Sequence, residues 1–333
     1  MIISKTPYRI SFFGGGTDYK EWYSHYGSEI LSTTIDKYIY LSIRKLPNFF
    51  QKKNRVIYSQ IEEVDTLDKI KLNPVKKILL FEKFKNGIEF HYDGQMPAKS
   101  GVGSSSAFVV GLANICSEIK KKKLTKSSLA KKAIYYEQTI LKEVVGLQDQ
   151  IAISHGGFNY IKINKNGSFS VQKVLENKMY KKKLNSNLIL LYSGIQKLTR
   201  SELSNYVKNI RTKSKELMFE NVQLTKEAKK LLKDYKFDEF GGLLDTSWHI
   251  KRKISKSISN STLDNIYIKA KKSGAIGGKL LGAGGGGFML FYVPSYKRTF
   301  FLKKMSFLTN IEFKFEDLGS QIVYKNLEED KYV

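Results

Sequence analysis

A single cysteine, Cys116, among 333 residues rules out an intrachain disulfide, and four histidines without metal-ligand spacing provide no zinc site. So little cysteine points to a reducing compartment. Long hydrophobic runs are missing too: the richest apolar stretch, Ala107 to Cys116, is too short and too interrupted to cross a bilayer. The first residues run straight into a strand-like Ile2-Ile3, without the basic region, apolar stretch and small-residue cleavage site of a signal peptide. The expectation is a cytoplasmic protein with no membrane partner. Acidic residues are also scarce, 31 against 57 lysines and arginines, for a formal net charge of +26. Such a balance raises nucleic acid or an acidic surface as a partner. The distribution argues against both. Lysines fall in short runs such as Lys120 to Lys123 and Lys181 to Lys183, arginines are few, and no basic stripe is interleaved with aromatics to stack bases. The runs read as solvated faces, and no nucleic-acid partner is expected.

What the chain has in quantity is apolar mass and glycine. With 41% hydrophobic residues, 333 residues suffice for two domains. Three glycine loops punctuate the sequence: Gly14-Gly15-Gly16, the run Gly101-Val102-Gly103-Ser104-Ser105-Ser106, and Gly282 to Gly287. Each abuts an apolar strand-like or helix-like segment. Together they describe backbone shaped to approach something highly charged, with nucleotide phosphates the best fit.

Periodicity predicts a strand from Ile2 leading into the first glycine turn, a short helix or turn around Tyr19 to Tyr26, and strands at Leu31 to Ile43, Arg55 to Ser59, Ile88 to Tyr92 and Phe158 to Ile163 in the first half. Helices are expected at Pro74 to Phe84, Ala107 to Ile119 and Ser127 to Val144. The turn-rich, basic segment 165–187 suggests a boundary, giving domains of 1–175 and 176–333. The second half opens on the apolar strand Leu188 to Tyr192. Helices are expected at Thr199 to Asn221, Thr225 to Tyr235, Phe240 to Lys253, Thr262 to Ser273 and Tyr296 to Leu308, with strands at Phe288 to Val293 and Ile311 to Phe315. This alternation around an antiparallel core is α+β.

Chemistry concentrates near the loops. Serines after glycines at a helix start offer backbone amides to phosphate oxygens and a hydroxyl to a divalent cation. The Ser127 to Val144 helix places Glu137 on its apolar stripe, where a carboxylate needs a partner or a metal. Asp149, in a glycine-bounded turn, suits orienting a hydroxyl or taking its proton, although capping a helix would serve it equally. Arg9 would compensate that acid or a transferring phosphoryl group, and Asp18 suits sugar hydroxyls. The combination describes a phosphotransferase acting on a small polyol.

Three strings in order resemble the motifs of the GHMP kinases, whose members include galactokinase, homoserine kinase and mevalonate kinase. Pro7-Tyr8-Arg9 through Gly14-Gly15-Gly16-Thr17-Asp18 is similar to the first, Pro97-Ala98-Lys99-Ser100-Gly101 through Ala107 to the second, and Lys279-Leu280-Leu281-Gly282 through Phe288 to the third. The resemblance implies a ribosomal-protein-S5-like α/β domain followed by a ferredoxin-like α+β domain, with ATP and Mg²⁺ as cofactors. It places the nucleotide along Lys99, Gly101, Val102, Gly103, Ser104, Ser105, Ser106 and Ala107, and Mg²⁺ on Ser105 and Glu137. Asp149 and Arg9 become the catalytic pair. Asp18, with Gly15, Gly16 and Thr17 beside it, would hold the sugar, and Gly284 and Gly285 would close on it from the third loop.

Within the family, Phe12 through Asp18, Gly146-Leu147-Gln148-Asp149-Gln150 and Trp248 with Lys251 are similar to the heptose 7-phosphate kinases. Those enzymes phosphorylate the anomeric C1 hydroxyl on the route to GDP-heptose and surface glycans. A phosphorylated sugar would need cations, for which Lys197, Arg200 and Lys251 are the candidates. Galactokinase has a Glu-His pair where this chain has Gly15-Gly16, which argues against galactose. The rival functions are a fucokinase-like or other hexose kinase, and a non-catalytic sensor on the same scaffold. A homodimer is compatible with the sequence, which does not fix oligomeric state.

Overall fold

From Thr6 to Phe13 the first strand is buried at every position, a continuous apolar run broken only by Arg9 and by Ser and Thr hydroxyls. Such a strand needs cover on both faces. The computed structural model describes residues 1–47, 49–194, 207 and 214–326, and supplies that cover. The strands are β1 Ile2–Phe13, β2 Ser28–Lys45, β3 Asn54–Ile57, β4 Ile61–Val64, β5 Ile88–Gly94, β6 Phe158–Ile163, β7 Phe169–Lys173, β8 Leu188–Tyr192, β9 Gly277–Leu280, β10 Phe288–Tyr292, β11 Thr309–Ile311, β12 Phe315–Glu316 and β13 Gln321–Lys325. The helices are α1 Lys20–Tyr26, α2 Asn73–Phe81, α3 Ser104–Ile119, α4 Lys126–Tyr135, α5 Gln148–His155, α6 Lys178–Ser186, α7 Lys215–Lys233, α8 Phe237–Ile254, α9 Ser261–Lys272 and α10 Arg298–Lys304.

Among the described residues these strands form two sheets. One runs β13-β1-β2-β5-β3-β4, with β12 and β6 added along β2 and β7 beyond β6; the other runs β11-β8-β10-β9. Every pairing is antiparallel except β3 with β5. Strand β2 serves both ends of its sheet, pairing through Ser28–Thr33 with β6 and through Ile39–Lys45 with β5. In its second half Ile39, Leu41 and Ile43 are buried while the residues between them are partly exposed, the period-two signature of a sheet covered on one face. The buried side of α3 supplies cover, through Ala107, Val110, Ala113 and their neighbours. Phe12 joins the two halves, stacking on Phe158 at 5.1 Å and meeting Phe240 of α8 edge-on at 5.5 Å.

Four expectations change. The amphipathic segment at 127–144 is not one helix. Regular turns stop at Tyr135, and Tyr136–Ile140 form a wide π turn in which Leu141 N–H bonds back five residues to the Tyr136 carbonyl. Widening shifts the register so that Tyr136 and Glu137 both point inward. Conversely, α7 continues through Thr225, because that hydroxyl bonds the Asn221 carbonyl at 2.8 Å instead of breaking the helix. Segment 165–187, read as turns, holds β7 and α6. Asn177 caps α6 by accepting from the Met179 and Tyr180 amides, a start signal present in the sequence. The expected strand at 311–315 divides: β11 joins the second sheet, whereas β12 and β13 cross back to the first. A cut at 175/176 therefore leaves two strands of the first sheet on the far side.

Candidate active site

Arg9 comes from the middle of β1, where its side chain is 5% exposed. A guanidinium held there needs its charge matched. Asp149, in the first turn of α5, supplies the match: Arg9 Nε donates to Oδ1 at 2.8 Å and Nη2 to Oδ2 at 2.7 Å, a two-pronged pair that fixes the carboxylate plane. Arg9 Nη1 donates to the Gly101 carbonyl, so the same side chain ties Asp149 to the second glycine loop. Asp149 remains 24% exposed and lines a cleft. Gln148 braces it, donating through Nε2 to Oδ1 at 3.0 Å while accepting from Ser11 Oγ at 2.7 Å.

Across the cleft lies the start of α3. Gly103, at φ 78°, releases the chain into the helix, and the first intrahelical bond is Ala107 N–H to the Gly103 carbonyl. The amides of Ser104, Ser105 and Ser106 precede that bond at the positive end of the helix, beside the cleft. Loops two and three touch backbone to backbone. A Cβ on Gly101 would lie 2.6 Å from the Leu281 carbonyl oxygen, and one on Gly282 would lie 2.6 Å from Gly101 Cα. Only glycine at both positions permits this approach.

Glu137 is fully buried beneath Ser105 and Ser106. Ser106 Oγ donates to its Oε2 at 2.9 Å, Ser105 Oγ to its Oε1 at 3.3 Å, and Gln150 Nε2 donates to Oε2. Among the described residues no lysine or arginine forms an ion pair with it. Burial pushes its carboxyl up to about 7 against the pull of those donors. Under the π turn, Tyr136 donates its hydroxyl to Glu82, which also pairs with Lys120 and Lys132.

Asp18 borders the cleft, but its oxygens are committed to backbone. Gly16 N–H donates to Oδ1 at 3.1 Å and Gln148 N–H to Oδ2 at 3.2 Å. It therefore ties the first loop to the start of α5, and burial beside Asp149 raises its carboxyl to about 6. Gly15 and Gly16 line the cleft with it. Thr17 does not: it is wholly buried, donating to the Gly14 carbonyl at 2.7 Å and sharing a hydrogen with Ser28, because the loop needs that hydroxyl inside.

Of the second loop, Lys99, Gly103, Ser104, Ser105 and Ser106 line the cleft, whereas Val102 and Ala107 turn into the core and Gly101 faces loop three. From loop three the lining comes from Gly282 and Ala283, not Gly284 and Gly285, whose strand of chain packs on Ile258 through Gly285 N–H. Lys251 lines the cleft with Nζ donating to the Leu280 and Gly282 carbonyls, which makes it a brace for that loop. Lys197 and Arg200 lie outside the described residues.

Sequence reading passed over Asn221, Ser247 and Lys279, all on the cleft wall. Asn221 bridges to the first loop, accepting from Gly14 N–H and donating to the Gly15 carbonyl at 3.1 Å. Its signal was available: a polar residue on the buried stripe of α7 with Met218, Leu224 and Thr225.

The model of the GHMP kinase N-terminal domain matches residues 73–157, which carry the second glycine loop, Glu137 and Asp149. The D-glycero-alpha-D-manno-heptose 7-phosphate kinase of Campylobacter jejuni is 30% identical over 91% of this chain and 93% of its own length. The crystal structure of a putative sugar kinase from Campylobacter jejuni superposes with a TM-score of 0.75 at 27% identity, covering 96% of this chain and 97% of that one. A D-glycero-D-manno-heptose 1-phosphate kinase from Bacteriodes thetaiotaomicron gives a TM-score of 0.80 at 22% identity over 98% and 100% of the two chains, a likeness of fold. With three glycine loops meeting at one cleft and a relative matched along nearly its full length, the chain belongs to the GHMP kinases.

Proposed function

We propose that the protein transfers the γ-phosphoryl group of ATP to the anomeric C1 hydroxyl of D-glycero-D-manno-heptose 7-phosphate, giving the 1,7-bisphosphate. The observation that carries the phosphotransfer is Asp149, gripped on both oxygens by buried Arg9 and facing the start of α3 across one cleft. The choice of sugar rests on likeness to the Campylobacter jejuni heptose 7-phosphate kinase, with Gly15-Gly16 in place of the Glu-His pair of galactokinase.

In this reading the amides and hydroxyls of Ser104 to Ser106 hold the triphosphate, aided by Lys99. Asp149 aligns the anomeric hydroxyl and accepts its proton as the oxygen attacks the γ-phosphorus. Arg9 keeps that carboxylate in place and contributes positive charge beside the transferring group. Glu137 with Ser105 or Ser106 fits Mg²⁺: a buried carboxylate surrounded by neutral donors lacks a cation, and all the nearby ligand atoms are hard oxygens. Once bound there, Mg²⁺ would neutralise charge on the β- and γ-phosphate oxygens.

The second reading is a kinase for an unphosphorylated sugar. It is favoured by Lys251, whose ammonium is engaged by the third loop rather than held ready for a 7-phosphate. The deciding experiment offers ATP with D-glycero-D-manno-heptose 7-phosphate, mannose, fucose or galactose, and reads the product's phosphate position by ³¹P NMR. We expect rapid formation of an anomeric phosphate on the heptose 7-phosphate alone. Turnover restricted to an unphosphorylated sugar would overturn the specificity.

A further inference from the structure

Lys279 lies in β9 at the back of the cleft, 6% exposed, on a strand where β pairing explains the backbone but not a lysine side chain. Its ammonium donates to the Phe12 carbonyl, approaches Ser247 Oγ at 3.5 Å and sits 5.8 Å from the Phe13 ring. An ammonium has three donors, so two neutral contacts leave one. Among the described residues no carboxylate stands within ion-pair distance of it. The charged groups that share the cleft are Arg9, Asp18, Lys99, Asp149 and Lys251. Arg9, whose charge is matched by Asp149, repels it. A buried cation without a counter-charge is costly unless a ligand supplies one.

We propose that Lys279 is a phosphate-binding cation of this cleft, contacting either the transferring γ-phosphoryl group or the phosphate monoester of the acceptor. Both sources present a dianionic phosphate, and the site at Phe12 and Ser247 would hold either against the Arg9–Asp149 pair. The proposal rests on the kinase reading for the identity of its ligand, but not for the chemistry of the lysine. Burial and Arg9 bring the ammonium down to about 7, so at pH 8 most of the empty protein carries a neutral amine. An arriving phosphate restores the charge by drawing a proton from solvent. The raised affinity of the bound state for a proton makes uptake approach about one per site at pH 8, where the phosphate probes are largely dianions; at pH 6 the lysine is already charged and a probe that binds as its dianion sheds its own proton, so uptake gives way to none or to release.

The test is calorimetric titration of wild type and Lys279→Met, at pH 8 and pH 6 in two buffers of different ionisation heat. The probes are inorganic phosphate, Mg-ADP with ATP as its triphosphate counterpart, and D-glycero-D-manno-heptose 7-phosphate. Wild type should take up protons at pH 8 and Lys279→Met should not. Loss confined to ATP identifies the γ-phosphoryl group as the contact; loss confined to the sugar phosphate identifies the acceptor. The variant should also lose about 10²–10³-fold in kcat/KM. Methionine preserves the stem and removes a buried charge, so its Tm should equal or exceed that of wild type. Phosphate binding with proton uptake but no turnover of any sugar would sink the kinase reading and leave the lysine's role standing. Equal proton uptake in the two proteins, or none in wild type with any probe, overturns the proposal.

Discussion

Replacing Asp149 by asparagine lowers kcat by about 10²–10⁴-fold, the range expected when a positioned proton acceptor is removed. Asparagine keeps the shape and can still accept from one Arg9 N–H, so binding of ATP should change far less than turnover. The same substitution strips the guanidinium of its counter-charge inside β1. Losing one partner of such a pair costs about 3 kcal/mol, the low end for buried pairs because Asp149 retains a solvent-facing side. Arg9→Met should also destabilise, and the double variant should regain part of the lost Tm without regaining activity. Steady-state assays and thermal melts of the three variants separate the two effects. A kcat for Asp149→Asn within tenfold of wild type would remove Asp149 from the chemistry.

Glu137→Gln gives the other large effect. It should abolish saturation by Mg²⁺ in the millimolar range and reduce kcat at fixed Mg²⁺ by about 10²-fold or more, as loss of the ion's charge stabilisation requires. Ser105→Ala and Ser106→Ala, each leaving the other hydroxyl, should weaken Mg²⁺ dependence less. A second readout comes from the empty protein. The folded-state carboxyls of Glu137 and Asp18 lie above their ordinary values, at about 7 and about 6. The native state thus binds more protons than the unfolded chain between the ordinary carboxylate range and those values. The stability this contributes is fully present below that range and is lost as pH rises through about 7. Lys279, brought down to about 7, works in the opposite sense, so the readout is the difference between proteins: relative to wild type, Glu137→Gln should gain stability on going from pH 6 to pH 8. An unchanged slope in the variant would place the buried charge elsewhere.

Much of this site was legible because glycine and carboxylate placement carry strong local meaning. Glu137 on an apolar stripe announced an inward carboxylate, and serines following Gly101 and Gly103 announced a helix start, which the fold sets beside the cleft. The lines Phe158 to Ile163 and Leu188 to Tyr192 were bounded correctly because dense apolar runs between turn residues admit few alternatives. What escaped depended on distant contacts. Thr17 reads like Asp18's neighbour in a ligand loop, yet Ser28 of β2 draws its hydroxyl inward. The π turn after Tyr135 leaves no mark in a pattern that stays apolar through Val144. Lys251 looks like a free cation on an amphipathic helix until the carbonyls of Leu280 and Gly282 are brought beneath it. Lys279 stood in the third motif as lettering only, since nothing along the chain reveals that β9 buries it next to Arg9.

The outer edge of β1 is occupied by β13, with Ile2 opposite Lys325 and Lys5 opposite Gln321, and Ser320 hydrogen-bonds Thr6 and Asn114. On the ribosome that edge stays open while more than three hundred intervening residues are made. The nascent first sheet therefore waits with one exposed strand flank, a template for mispairing, until its partner strand is made. Closure of the sheet becomes a late event in folding, and the time spent before it is the interval in which chaperones would matter most to the yield of folded enzyme.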